Sequence, residues 1–147
     1  MRIGEKIENK EYYKRPGAYV IIERDEDDKI AIVTNGIGYF FLGGGLEENE
    51  TNEDALKREL IEESGYTLKD ISFFDTVSTY IYNPKKGYMD IDATFYIAKF
   101  NERVAEPTEK DHKIVWVTPL EYKDKLYREY QRYILNKYVS KKIAGEI

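Results

Sequence analysis

Four glutamates carry the strongest chemical signal in this chain. Glu59, Glu62 and Glu63 stand at i, i+3 and i+4, a spacing that puts three carboxylates on one face of a helix. Glu50 lies just upstream, where a loop can bring it to the same region. Crowded carboxylates repel one another, and a hard divalent cation removes that repulsion. Mg²⁺ takes carboxylate and water oxygens and bridges readily to phosphate oxygens. The chemistry in view is therefore attack of water on a phosphoryl group, with the cation stabilising the leaving phosphate and a spare glutamate taking the proton. Gly43, Gly44 and Gly45 precede these acids. Lacking Cβ, they let the backbone approach a cation or phosphate, and a carbonyl there offers another oxygen ligand. Arg58 is spaced to pair with Asp54 or Glu62 at i±4 and steady a carboxylate in its pose.

A helix must hold these acids, and the local sequence predicts one over residues 52–64. Thr51 is an N-cap candidate with Asp54 three positions on, Ala55, Leu56, Leu60 and Ile61 give the apolar face, and Gly65 supplies the stop. Ahead of it, Ala18 to Ile22 and Ile30 to Val33 flank the acidic turn Asp25-Glu26-Asp27-Asp28 and predict a buried hairpin. Tyr39 to Leu42 predicts a further strand, stopped by the three glycines. Beyond the helix, Ile71 to Tyr82 and Met89 to Phe100 predict two strands joined by the turn Asn83-Pro84-Lys85-Lys86-Gly87; Ile91, Ala93, Phe95 and Ile97 alternate with polar residues. Ile114 to Val117 predicts a last strand, and Thr118-Pro119 opens a closing helix running to about Val139. Strands, helix, strands and helix imply an α/β domain, a mixed β-sheet sandwiched between α-helices.

From Gly44 to Tyr66 the chain reads GGLEENETNEDALKRELIEESGY. Glu50, Arg58, Glu59, Leu60, Glu62, Glu63, Gly65 and Tyr66 follow Gly44 at the spacing G-x5-E-x7-R-E-U-x-E-E-x-G-U, where U is bulky and apolar. This segment, residues 44–66, resembles the Nudix box of the MutT-like hydrolases at every fixed position. Tyr66 is aromatic where an aliphatic residue is usual, and Leu42 replaces a frequent proline, departures that touch packing rather than ligands. The resemblance implies a Nudix fold over residues 1–147 as one domain. It implies Glu59 and Glu63 as principal Mg²⁺ ligands, with Mn²⁺ a substitute, and Glu62 as a further ligand or the water-activating base. Gly43 would offer its carbonyl, Arg58 would orient Glu59, and Glu50 would join the metal network. The implied reaction is hydrolysis of a diphosphate bond in a nucleoside diphosphate linked to a moiety X. Oxidised nucleoside triphosphates, dinucleoside polyphosphates, nucleotide sugars and polyphosphate-like compounds all fit. A non-catalytic nucleotide sensor on the same fold is the alternative, disfavoured because no box carboxylate is missing.

Composition narrows the rest. The 147 residues suit one domain, with no room for a second. A net charge of -5 provides no basic field for long nucleic acid, which weakens an RNA-decapping reading. The absence of cysteine excludes disulfides, thiolate zinc sites and cysteine nucleophiles. No signal-like or membrane-spanning apolar run is present, so a cytoplasmic, soluble chain is expected, either monomer or homodimer. Outside the box, Glu109 is a candidate extra metal ligand and His112, the one histidine, a candidate phosphate contact or proton-transfer group. Arg15, Arg24, Lys85 and Lys86 are candidate phosphate contacts. The stripe Leu126, Tyr130, Tyr133, Ile134 and Tyr138 predicts core packing.

Overall fold

The apolar runs Ala18 to Ile22 and Ile30 to Val33 lack alternation, as strands covered on both faces do. The computed structural model, which describes residues 1–147, buries both runs, with Tyr19 alone partly exposed. In chain order the elements are β1 (Arg2–Ile3), β2 (Tyr13–Glu23), β3 (Ile30–Thr34), β4 (Tyr39–Phe40), β5 (Leu42–Gly45), α1 (Asn52–Ser64), β6 (Tyr66–Asn83), β7 (Gly87–Arg103), β8 (Lys113–Val117), α2 (Pro119–Tyr122) and α3 (Glu129–Ile143). Strand β2 is the axis. It pairs in parallel with β7 along one edge. Along the other it pairs antiparallel first with β5 and then, at Ile22 and Glu23, with β3. Strands β6 and β7 form a long antiparallel hairpin, and β8 and β4 flank β3.

Side chains alternate across this mixed sheet into two cores. Ile21, Ile30, Ile32, Ile91, Ala93 and Phe95 face α3, where Ile134, Leu135 and Tyr138 meet them. Val20, Ile22, Ala31 and Val33 face α1 and its Ala55, Leu56 and Leu60. Helix, sheet and helix thus make the sandwich expected from the element order.

Helix α1 starts and stops where its caps dictate. The Thr51 hydroxyl accepts from Asp54 N–H at 3.1 Å while the Asp54 carboxylate accepts from Thr51 N–H at 3.1 Å, a reciprocal capping box. Gly65 ends the helix in the left-handed conformation, φ 78°, with its N–H on the Ile61 carbonyl.

Three sequence expectations are corrected. The three glycines do not stop a strand. They continue one, in register with Tyr19, Ala18 and Gly17 of β2, and the interruption falls at Phe41 instead. Strands β6 and β7 outrun their predicted ends, and near the base of the hairpin their register shifts between Tyr66 and Asp75. The closing helix is two helices, because residues 123–128 leave the helical path and run beside β4. Leu126 bridges Tyr39, Tyr127 N–H bonds the Tyr39 carbonyl at 2.9 Å, and Arg132 donates to the carbonyls of Leu126 and Tyr127. Edge pairing has displaced local helical preference. Strand β1, on which the sequence made no prediction, joins β6 in parallel, fixed by Arg2 at 2.6 Å from the buried Asp90, a long-range pair with no local signal.

Candidate active site

The C-terminal half of α1 lies against β5. Gly44 makes this approach attainable: a Cβ there would fall 2.6 Å from Glu59 Oε1. Beside it, Gly43 N–H donates to Glu63 Oε1 at 2.8 Å. The observed contact of Gly43 with the helix is therefore through its N–H. Arg58 ties the upstream loop to the helix with a bidentate bond to Glu50 at 2.8 and 2.9 Å, a bond to Glu59 at 3.1 Å and another to the Gly45 carbonyl at 3.1 Å. Glu62 lies farther, at 3.5 Å. Of the two expected partners of Arg58, Glu62 is met at that distance, whereas Asp54 is committed to the cap and Glu50 is the bidentate partner instead. Arg58 and the backbone N–H of Glu47 hold the Glu50 carboxyl down at about 2.

The three glutamates differ sharply in environment. Glu62 is the most exposed, Glu59 is partly covered, and Glu63 is almost fully buried, at 6% exposure. Burial raises the Glu59 carboxyl, opposed by Arg58. Burial pushes Glu63 up to about 8, with Gly43 N–H opposing and the charges of Glu59, Glu109 and Glu62 adding to the rise. The glycine strand covers Glu63. Glu62 and Glu63 also occupy the last turn of α1, where the helix dipole disfavours anions and no basic residue compensates.

The loop before β8 closes over the same helix end. Thr108 and Glu109 N–H groups bond the Glu62 carbonyl at 2.9 and 3.2 Å, and His112 N–H bonds the Glu109 carbonyl at 3.1 Å. This brings His112 Nδ1 to 3.7 Å from Glu63 Oε2. That nitrogen is buried and has no hydrogen-bond partner. Glu50, Arg58, Glu59, Glu62, Glu63, Glu109 and His112 are thus brought together around one helix end, with Gly43 against it.

A divalent cation fits this donor set on charge and chemistry: oxygen donors, an uncompensated helix C-terminus, two carboxyls raised by burial, and a Glu63 oxygen whose only neighbour of note is an orphaned imidazole. In the present conformation no three acidic or histidine side chains already converge as a ligand set. Ligation therefore calls for side-chain rotation, beginning with the carboxylates that Arg58 now holds.

A cleft of about 290 Å³ opens here, lined by Glu63, His112 and Gly43 to Gly45, by apolar side chains including Phe41, Met89 and Ile91, and by Arg15, Lys86 and Arg128. Of the phosphate candidates, Arg15 and Lys86 reach it. Arg24 does not, being paired with Asp27 and stacked on Trp116, and Lys85 is not among its lining residues. The sequence reading missed Arg128, Tyr130 and Gln131 as lining residues, because the break between α2 and α3 that turns them inward has no motif. A larger recess, about 580 Å³, lies near Tyr138 and Leu120 and contains none of the α1 residues. Its cations Arg24, Lys99 and Lys142 are each matched by an acid, whereas the smaller cleft joins Glu63 and His112 to Arg15 and Arg128, which have no acidic partner.

The family model described as the NUDIX domain matches residues 13–138. Among solved structures, a MutT protein from Bacillus halodurans is similar at TM-score 0.67 and 19% identity, covering 83% of this chain and 80% of its own. A MutT NUDIX hydrolase from Burkholderia pseudomallei gives TM-score 0.64 and 22% identity over 84% of this chain and 96% of its own. A NUDIX hydrolase from Nitrosomonas europaea gives 0.64 and 16% over 86% and 89%. No curated protein sequence matches the chain. With the domain match spanning most of its length, the chain belongs to the Nudix family and is a hydrolase of diphosphate bonds.

Proposed function

We propose that this chain uses Mg²⁺, with Mn²⁺ as substitute, to hydrolyse a small-molecule nucleoside diphosphate linked to X. The observation that carries the reading is the burial of Glu63 beside Glu59, with one oxygen held by Gly43 N–H and the other facing His112. Glu59 and Glu63 would hold the cation, joined by the Gly43 carbonyl and Glu109. When bound, the ion neutralises phosphoryl oxygens and favours departure of the phosphate. Glu62, the most exposed of the three box glutamates, is free to serve as a further ligand or to take a proton from the attacking water. Arg58 orients Glu59 and keeps Glu50 ionised within the network. His112 would act as a proton-transfer or phosphate-contacting group, and Arg15 and Lys86, which line the cleft, would meet phosphate.

The test is turnover of a nucleotide panel by the pure protein with product identification. Mg²⁺ or Mn²⁺ should support hydrolysis and Ca²⁺ little, because the reaction favours a small cation with tight geometry. Full activity in excess chelator would overturn the mechanism, and ligand-stabilised melting without products would replace the enzyme with a sensor. Glu109→Gln and His112→Ala at unchanged rates would remove those two residues from the site.

A further inference from the structure

Five of the seven arginines are committed within the protein. Arg2, Arg24, Arg58 and Arg103 hold carboxylates, and Arg132 holds two backbone carbonyls. Arg15 and Arg128 have no acceptor, and both line the smaller cleft. Burial raises the Tyr130 hydroxyl, and the charges of Arg128 and Arg15 both oppose that rise, so the two guanidinium groups act on one buried oxygen. Lys86 joins them: burial and then Arg15 lower its pKa. The Arg15 guanidinium rests over Gly45, 2.7 Å from where a Cβ would project, one residue from the glycine that meets Glu59. Three cations without acidic partners therefore stand in a chain of net charge -5, beside the carboxylate helix.

Arg128 is presented from a fixed backbone. The Tyr127 N–H bond to the Tyr39 carbonyl and the two Arg132 bonds pin the segment before α3, and the guanidinium lies 5.1 Å from the Tyr127 ring centroid. A planar guanidinium held in this way is suited to bidentate oxygen acceptors. With a neutral X, the only anionic groups of the substrate are the two phosphates of the scissile bridge, which the metal end and Arg15 can take. Arg128 would then remain unneutralised.

Resting on the proposed reading of this cleft as the substrate site, we propose that Arg128, with Arg15 and Lys86, selects substrates whose X is itself anionic, a further phosphate or a phosphorylated group, over those whose X is a neutral sugar.

The test is calorimetric binding in chelator, so that it needs neither metal nor turnover. Two probes share one base and carry a methylene in place of the α,β bridging oxygen: a nucleoside triphosphate and a nucleotide sugar. Wild-type protein should bind the triphosphate at least about tenfold more tightly. Arg128→Gln should lose most of that ratio, Arg128→Lys should keep part of it, and Lys125→Gln, which removes a nearby cation outside the cleft, should leave it intact. Equal wild-type affinities, a ratio unchanged in Arg128→Gln, or an equal loss in Lys125→Gln would each overturn the proposal. Hydrolysis of the parent compounds with Mg²⁺ is measured separately, so a chain that turns over both compounds while binding the probes equally retains the reading and loses the selectivity.

Discussion

In the proposed function, Glu63 would concentrate the site's chemistry in one side chain. It is buried, its carboxyl is pushed up to about 8, and one oxygen faces an unpartnered imidazole nitrogen. A divalent ion held by Glu63 would have to displace its proton, which would couple metal affinity to pH. Glu63→Gln is isosteric and can still accept from Gly43 N–H, so the local fold survives while a negative ligand is lost. Turnover at saturating Mg²⁺ should fall by at least about a hundredfold. Initial rates above a tenth of wild type would exclude Glu63 from the reaction centre.

At the scale of elements, α1 works because both of its ends are specified and its last turn supports a loop. Gly65 has φ 78°, and a Cβ there would lie 2.1 Å from the Ala105 carbonyl oxygen. Gly65→Val should therefore cost about 1–2 kcal/mol for the left-handed backbone, plus the displacement of residues 105–112 from the helix end. Denaturant unfolding should show that loss, and an unchanged midpoint would contradict it. The seam between β4 and β5 depends equally on one buried amide. Gln131 Oε1 accepts from Phe41 N–H at 2.9 Å, and its Nε2 donates to the Tyr130 hydroxyl at 3.2 Å. Gln131→Leu leaves the Phe41 N–H buried and unpaired, a loss of about 1–3 kcal/mol. Stability at the wild-type level would show that the seam relaxes to find another acceptor.

For the whole molecule, the metal-free protein has two opposed pH dependences in separate windows. Glu63 and Glu59 are raised in the fold, so their contribution is complete below the unfolded value of about 4.5 and is lost as pH rises through about 8 for Glu63. Glu50, Asp75 and Asp90 are lowered by cationic and hydrogen-bonding partners, so their contribution is present above the unfolded carboxylate range and is lost as pH falls, through about 2 for Glu50. Thermal unfolding in chelator should therefore be most stable on the acid side of neutrality and decline toward pH 8. Glu63→Gln should flatten that decline, and Mg²⁺ should reverse it. A metal-free protein whose stability rises steadily from pH 5 to 8 would contradict the burial of Glu63. The sequence by itself determined the helix over residues 52–64, the grouping of Glu59, Glu62 and Glu63 and the strand periodicities, because caps, i/i+4 spacing and alternation are local properties. Burial of Glu63 behind the glycine strand, the bidentate hold of Arg58 on Glu50, the division of the closing helix and the gathering of Arg15, Lys86 and Arg128 along one cleft were decided only by the tertiary structure. Each depends on residues far apart in the chain being brought together, where exclusion of water and competition for hydrogen-bond partners outweigh local preference.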